Sequence, residues 1–207
     1  MFDELPESII RGDEEEAKSL TQKYLDDGKE PGDILQNGLI AGMDVVGQRF
    51  KIYEMYLPEV IMSATAMKSA MGLLKPLLLK TERSAAGMVI MATIEGDVHD
   101  IGKNLVTMML EGAGYDIIDL GVDVQIEKII ETAEKEKADV IGLSALLTTT
   151  MLALEPSIEM IRKKISPVKI MVGGSPLTQE FADKIGADGF APDAMRAVNL
   201  TRRLAGK

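Results

Sequence analysis

The chain of 207 residues contains no cysteine, no tryptophan and one histidine. Without cysteine it forms no disulfide bond, and we expect a cytoplasmic location. A zinc site made of imidazoles and thiolates is excluded, because such sites need three or four of these ligands. No apolar run approaches the roughly 18 residues of a membrane span, and the acidic start Met1–Glu4 is unlike a secretory signal. A formal charge of −10 argues against nucleic acid as a partner, since phosphate backbones are bound by clustered lysine and arginine.

The first 84 residues have helical periodicity throughout. A short helix is predicted over Pro6–Ile10, and a second begins after Asp13, where acidic residues suit the positive end of the helix dipole. Pro31 and Pro58 each suit the first turn of a further helix. The pattern predicts a four-helix bundle domain over residues 1–84.

From residue 85 onward, short apolar strands alternate with amphipathic helices. This rhythm predicts an α/β fold, a doubly wound, Rossmann-like, five-stranded parallel sheet over residues 85–207. The predicted strands are Met88–Thr93, Asp116–Leu120, Val140–Ser144, Lys169–Val172 and Gly189–Ala191. The predicted helices are Lys103–Gly112, Ile126–Glu136, Met151–Lys164, Thr178–Ile185 and Asp193–Leu204.

The lone histidine, His99, follows the first predicted strand directly. It therefore lies at the carboxyl end of a strand, where open α/β sheets bind their ligands. Asp97 is placed to accept a hydrogen bond from one ring nitrogen, which makes the other nitrogen a better metal ligand. A single imidazole is sufficient when a macrocycle supplies the other ligands of the metal. The plain alternative is a loop histidine that is hydrogen-bonded to its neighbour.

The motif Asp97-x-His99-x-x-Gly102 resembles the DxHxxG signature of cobalamin-binding domains, such as the module of methionine synthase. The resemblance implies that cobalamin, as methylcobalamin or another corrinoid, binds base-off with His99 as the lower axial ligand of cobalt. It also implies that the whole motif contacts the cofactor. The motif residues are Asp97, Val98, His99, Asp100, Ile101 and Gly102.

Two further segments follow predicted strands and carry the same resemblance. Residues 142–150 resemble the SxL segment of the family, which implies cofactor contacts for Ser144, Leu146 and Thr148 and a hydrogen bond from Thr150 to Asp97. The family often has serine where Thr150 stands, and the alternative interpretation of this segment is an ordinary strand end with a helix cap. Gly173 and Gly174 resemble the lining of the nucleotide-tail channel. We therefore expect a bulky residue at Gly174 to weaken binding without unfolding the sheet.

The helical half resembles the cap of methyl-transferring corrinoid proteins, closest to those of methylamine and methanol systems. The matching segment runs from Phe50 to Ile61. The resemblance implies an apolar cover over the upper face of the corrin, with the linker Lys80–Ala86 as its hinge. The matching apolar positions are Phe50, Leu57, Val60 and Ile61.

The resemblance implies a non-autonomous methyl carrier. Cobalt would take a methyl group from a substrate-specific methyltransferase, and an acceptor methyltransferase would pass it to a thiol or a folate. A corrinoid reductive activase is implied as a third partner. His99, Asp97 and Thr150 would form a relay that eases release of the axial ligand. The methyl donor is not identified by the sequence.

Two other functions remain open at this point. A subunit of an adenosylcobalamin mutase would share the DxHxxG sheet but would not need the helical cap. A cobalamin-dependent sensor would need an output module, and both halves of the chain are already assigned. A flavin or nicotinamide binder is disfavoured, because the glycines do not form GxGxxG.

Overall fold

The computed structural model describes residues 4–78 and 86–206, which fall into two compact units. The helical unit comprises residues 4–78 together with Glu111–Gly114, and the sheet unit comprises Ala86–Leu110 and residues 115–206. The predicted domain boundary at residues 84 and 85 lies outside the described residues. The predicted hinge also lies outside them, apart from its last residue, Ala86.

The helical unit contains the predicted helices, and the third of them includes a π-helical turn. Helix α2 packs against α5, and α1 packs against α4. None of the described helices is long and apolar enough to cross a membrane. The segments are α1 (Glu4–Arg11), α2 (Glu14–Asp26), α3 (Pro31–Ile34), the π-helical turn (Leu35–Ile40), α4 (Ala41–Lys51) and α5 (Leu57–Leu78).

Local chemistry explains where these helices begin and how closely they pack. The Asp13 side chain caps α2 by accepting a hydrogen bond from the Glu16 amide at 3.0 Å. Small residues allow α1 to approach closely, because a Cβ on Gly38 would lie 2.6 Å from the Leu5 side chain. Leu5 is fully buried. Leu5 of α1 is therefore part of the buried core of the helical unit.

The sheet unit is a five-stranded parallel sheet with the strand order β2-β1-β3-β4-β5. This confirms the predicted fold class. The strand order reverses between β1 and β3, so the topological switch point lies between the carboxyl ends of these two strands. The strands are β1 (Met88–Thr93), β2 (Asp116–Asp119), β3 (Val140–Ser144), β4 (Lys169–Gly173) and β5 (Gly189–Ala191).

The helices of the sheet unit differ from the predicted ones mainly after β3. The helix predicted over Met151–Lys164 begins three residues later, at Leu154, and a break at residues 152–153 separates it from a short helix over Thr148–Met151 that was not predicted. Pro156 accounts for the break, because it has no amide hydrogen and its ring clashes with the carbonyl four residues earlier. The helices are α6 (Ile101–Gly112), α7 (Ile126–Glu136), α8 (Thr148–Met151), α9 (Leu154–Lys164), α10 (Gln179–Lys184) and α11 (Ala194–Leu204).

Candidate functional site

The candidate site lies at the carboxyl ends of the central strands. The register places Thr93 of β1 beside Ser144 of β3, and Ser144 beside Gly173 of β4. The segment with His99 follows β1, and the segment with Thr150 follows β3. Because these strands are parallel neighbours, segments far apart in the sequence meet at one edge of the sheet.

The Asp97 carboxylate joins the two segments. One oxygen, Oδ1, accepts hydrogen bonds from the His99 amide at 3.1 Å and from the His99 ring nitrogen Nδ1 at 2.7 Å. The other, Oδ2, accepts from the Thr150 hydroxyl at 2.7 Å and from the amides of Leu146 at 2.7 Å and Leu147 at 3.3 Å. Asp97 is fully buried. Its carboxylate is therefore a fixed point around which the site is built.

The hydrogen bonds also fix the charge of Asp97. Burial raises the pKa of this carboxyl, but donors from Leu146, Thr150 and His99 outweigh burial and lower the pKa well below its usual range. Asp97 is thus ionised and can only accept hydrogen bonds. It follows that Nδ1 of His99 carries the hydrogen that lies between the two side chains.

His99 presents its other ring nitrogen outward. Since Nδ1 is bound to Asp97 and the side chain is 46% exposed, Nε2 is the nitrogen available to a metal. The main chain of His99 is also held, because the hydroxyl of Thr93 donates to its carbonyl oxygen at 2.9 Å. The orientation of the imidazole is thus set from both its ring and its backbone.

Sequence reasoning missed two contributors to this site, Thr93 and Asp123. Thr93 is a fully buried hydroxyl at the end of an otherwise apolar strand. Asp123 follows β2, and its carboxylate accepts a hydrogen bond from the Gly96 amide at 2.7 Å. In both cases the available signal was a polar side chain at the carboxyl end of a predicted strand.

Gly174 has a structural role that the sequence did not reveal. Its φ is +136°, and a Cβ built on it would lie 1.8 Å from the carbonyl oxygen of Ala145. A side chain there would collide with the backbone after β3. The expectation that a bulky residue at Gly174 leaves the sheet intact is therefore wrong. At Gly173 a Cβ would lie 3.1 Å from the carbonyl oxygen of Ala191, which is a tight but softer contact.

The surface around His99 is open and largely apolar. Val98 is 69% exposed, and Ile101 is 80% exposed. Leu146 and Thr148 are also exposed, and Asp100 accepts a hydrogen bond from the Asn104 side chain at 2.9 Å. A Cβ on Gly102 would meet nothing within 4 Å, so protein packing does not require glycine there. The space beside Gly102 is free for a ligand.

The predicted cap residues of the helical unit fall into two groups. Leu57 is 39% exposed, Ile61 is 42% exposed, and Phe50 is partly buried. Val60, in contrast, is fully buried. A side chain in that position contributes to packing and offers no surface to a ligand. Contacts of these four residues with a cofactor stay predictions.

The site fits a metal that brings its own equatorial ligands. Within residues 4–78 and 86–206, no group of three His, Cys, Asp or Glu side chains could hold a metal ion. The site instead offers one oriented, half-exposed imidazole beside open space and exposed apolar side chains. A corrinoid needs only one axial ligand from the protein and presents a large flat surface, so the residues present fit this group.

Comparison with known families and proteins agrees with this geometry. Residues 87–199 match a B12 binding domain family, and residues 1–75 match a second B12 binding domain family. The chain is 44% identical to a corrinoid protein of Desulfitobacterium hafniense (strain Y51), over 100% of this chain and 98% of the relative. It is 41% identical to the dimethylamine corrinoid protein of Methanosarcina barkeri, over 99% of this chain and 97% of the relative.

Solved structures give the same result. The methanol:cobalamin methyltransferase complex of Methanosarcina barkeri contains a chain with a TM-score of 0.87 and 31% identity, covering 98% of this chain and 78% of that chain. The monomethylamine corrinoid protein of the same organism has a TM-score of 0.55 and 37% identity, covering 98% of this chain and 97% of that chain. This chain therefore belongs to the corrinoid proteins of methyltransferase systems, which are built from B12 binding domains.

Proposed function

We propose that this corrinoid protein carries a methyl group on cobalt between two methyltransferases, with His99 as the lower axial ligand. The observation that carries the proposal is the bond of 2.7 Å between Nδ1 of His99 and the buried Asp97 carboxylate. It leaves Nε2 as a strong donor at a half-exposed position. A bound corrinoid supplies a cobalt centre that can accept and release a methyl group.

The relay of Asp97, His99 and Thr150 determines where a proton can reside when the axial ligand is released. Asp97 is kept ionised by its donors, which lower its pKa. A proton that enters the relay is therefore held on Nε2 of His99, where it occupies the lone pair that would bind cobalt. The Thr150 hydroxyl keeps the carboxylate aligned through its 2.7 Å hydrogen bond. On this account His99 acts as a coordination switch and Asp97 as its orienting partner.

We infer that the nucleotide tail of the cofactor lies along Ser144 and Gly173, with the base off the cobalt. These residues are direct neighbours in the register of β3 and β4. The absence of a Cβ at Gly173 lets a flat group approach the backbone. Gly174 supports this segment indirectly, because only glycine fits its contact with Ala145.

We propose that Phe50, Leu57 and Ile61 shield the methyl-bearing face of the corrin. Leu57 and Ile61 are two of six large apolar side chains that are exposed between residues 52 and 62. This supports the proposal, since grouped exposed apolar side chains mark binding surfaces. Replacing Phe50 and Leu57 together with alanine should speed photolysis of bound methylcobalamin while the axial nitrogen ligand is retained. Photolysis at the rate of the parent protein would argue against the cap.

The partners we propose are a substrate-specific methyltransferase, an acceptor methyltransferase and a reductive activase. Relatives are named as monomethylamine and dimethylamine corrinoid proteins, and one structural neighbour is part of a methanol:cobalamin methyltransferase complex. These names favour a small methylated amine or alcohol as the ultimate donor. They do not favour the mutase-subunit or sensor alternatives.

The decisive experiment replaces His99 with alanine and records the electron paramagnetic resonance spectrum of the cobalt(II) form. The parent protein should show coupling to an axial nitrogen, and His99→Ala should lose that coupling while retaining some corrinoid. Thr149→Ala is the control, because it removes an exposed side chain near the site without changing His99. It should keep the nitrogen coupling of the parent. Identical nitrogen coupling in parent and His99→Ala would overturn the proposal.

A further inference from the structure

The loop that follows β2, residues 121–124, is bound to the start of the DxHxxG segment by a reciprocal pair of hydrogen bonds. The Gly96 amide donates to the Asp123 carboxylate at 2.7 Å, and the Asp123 amide donates to the Asp97 carbonyl oxygen at 2.9 Å. Asp123 thus contacts the backbone on both sides of the Gly96–Asp97 peptide. It touches the main chain that carries Asp97 and not the carboxylate itself.

The same loop is tied to the end of β1. The Thr93 amide donates to the Gly121 carbonyl at 3.0 Å, and the Val124 amide donates to the Thr93 carbonyl at 3.1 Å. Thr93 in turn holds the carbonyl of His99. The loop is therefore hydrogen-bonded directly to Gly96 and Asp97 and is connected to His99 through Thr93.

Asp123 adopts a backbone conformation that carries a cost. Its φ is +52°, in the left-handed region that favours glycine, asparagine and aspartate. Asp123 retains a side chain where glycine would relieve the strain. The hydrogen bond from the Gly96 amide accounts for a side chain at this position. Only aspartate and asparagine both tolerate this backbone conformation and accept that hydrogen bond.

We propose that Asp123 is a positioning residue that keeps Asp97 aligned with Nδ1 of His99. The inference rests on the proposed function, in which His99 binds and releases cobalt. When Nε2 loses its metal, the imidazole is held only through Nδ1 and its own backbone, so a displaced Asp97 would let the ring take another tautomer. A fixed Gly96–Asp97 peptide prevents that.

The strained φ permits a clean set of variants. Asp123→Gly removes the acceptor and relieves the strain, so the fold should survive. Asp123→Asn keeps an acceptor oxygen and tolerates the left-handed region, so it should restore the behaviour of the parent. Lys137→Gly is the matched control, because Lys137 is an exposed residue with φ +53° at the end of α7. It relieves the same strain without touching the site.

The first measurement uses the tag-free protein without cofactor, in which His99 is the single histidine. Nitrogen-15 NMR of the imidazole in alkaline solution gives the ratio of the Nδ1–H to the Nε2–H tautomer. We expect this ratio to fall about tenfold in Asp123→Gly, the size of effect expected from loosening one charge-assisted hydrogen bond. Asp123→Asn and Lys137→Gly should match the parent.

The second measurement uses the cobalamin-loaded protein and the axial nitrogen coupling of the cobalt(II) form. The fraction of protein with this coupling should fall in Asp123→Gly and recover in Asp123→Asn. An unchanged tautomer ratio and an unchanged coupling in a folded Asp123→Gly variant would overturn the proposal. Should that variant fail to fold, hydrogen exchange of the Gly96 and Asp123 amides is measured in the parent protein. Rapid exchange at both amides would show that the two hydrogen bonds between Asp123 and the Gly96–Asp97 backbone do not form, which would also overturn the proposal.

The two proposals fail in different ways. Absence of histidine coupling in the parent would refute His99 ligation, whereas the NMR ratio would still test the effect of Asp123 on the Asp97–His99 pair. Normal coupling in the parent with no response to Asp123→Gly in either measurement would refute only the role of Asp123.

Discussion

The sheet unit and the helical unit differ in how far their own contacts account for the site residues predicted in them. In the sheet unit, the Asp97 carboxylate accepts hydrogen bonds from the DxHxxG segment and from the segment after β3. In the helical unit, the predicted cap residues have no such network, and they divide into the buried Val60 and the partly exposed Leu57 and Ile61. The polar site of the sheet unit is completed by hydrogen bonds within the protein, whereas the proposed role of the apolar cap residues depends on a cofactor that they would cover.

The largest expected effect tests the hydrogen-bond network of the sheet unit. Asp97→Ala leaves the Leu146 amide without its acceptor and leaves the Thr150 hydroxyl only the Leu147 carbonyl oxygen at 3.1 Å. We expect a loss of about 3 kcal/mol in the free energy of unfolding. Urea unfolding followed by circular dichroism measures this. Asp97→Asn keeps one acceptor oxygen but turns an NH2 group toward the donors of the other, so it should lose part of the same stability. A loss below that of an ordinary surface substitution would show that the network is not what holds the two segments.

The pH dependence of the same variant sharpens the test. The pKa of Asp97 is lowered in the folded protein, so the stability its carboxylate contributes is fully present above the unfolded pKa of about 3.9. That contribution is lost as the pH falls through the lower folded value. The difference between parent and Asp97→Ala should therefore be constant near neutral pH and shrink only in strong acid. A difference that shrank between pH about 8 and 6 would indicate a different titrating group.

The second-largest expected effect distinguishes side chains that pack in the core of the helical unit from side chains that would cover the cofactor. Val60 is fully buried, so Val60→Ala should cost about 2 kcal/mol in the free energy of unfolding. Leu57 is 39% exposed, so Leu57→Ala should change it by no more than about 0.5 kcal/mol. Only Leu57→Ala should speed photolysis of bound methylcobalamin in a stable protein. The reverse pattern would place Val60, and not Leu57, at the cofactor.

The third effect concerns the hydroxyl that the two segments share. Thr150→Val removes the donor to Asp97 at constant shape and should cost about 1.5 kcal/mol in the free energy of unfolding. It should also raise the pKa of Asp97, since one of the donors that lower it is gone. Thr150→Ser keeps the hydroxyl and should stay near the parent. Equal stability of the valine and serine variants, measured by urea unfolding, would contradict the proposed relay.

The smallest effect is a control at the opposite end of the strands. Asp188 accepts hydrogen bonds from the Ile170 amide at 2.8 Å and from Lys169 at 3.3 Å, and it pairs with Arg162. Asp188→Asn should cost about 1 kcal/mol and leave the affinity for cobalamin unchanged. Weaker cobalamin binding, measured by equilibrium titration, would show that the affinity of the site depends on the sheet as a whole.

The sequence by itself determined the strands, their order of appearance and the loop on which His99 lies. Apolar runs separated by amphipathic helices have few packing solutions, and a polar motif after a buried strand must lie at the edge of the sheet. The sequence also placed Thr150 correctly beside Asp97, through a resemblance and not through spacing, since a separation of 53 positions gives no local signal. The helix predicted over Met151–Lys164 begins only at Leu154, because Pro156 interrupts the helical pattern before it.

Tertiary structure alone decided three features: the lowered pKa of Asp97, the need for glycine at position 174 and the hydrogen bonds between Asp123 and the Gly96–Asp97 backbone. Each depends on atoms that the chain brings together from separate strand ends, namely the Leu146 amide, the Ala145 carbonyl and the Gly96 amide. A periodic pattern reports which face of an element is buried, but it carries no distances between elements. Hydrogen bonds and steric contacts change over tenths of an ångström, and therefore only the folded chain fixes them.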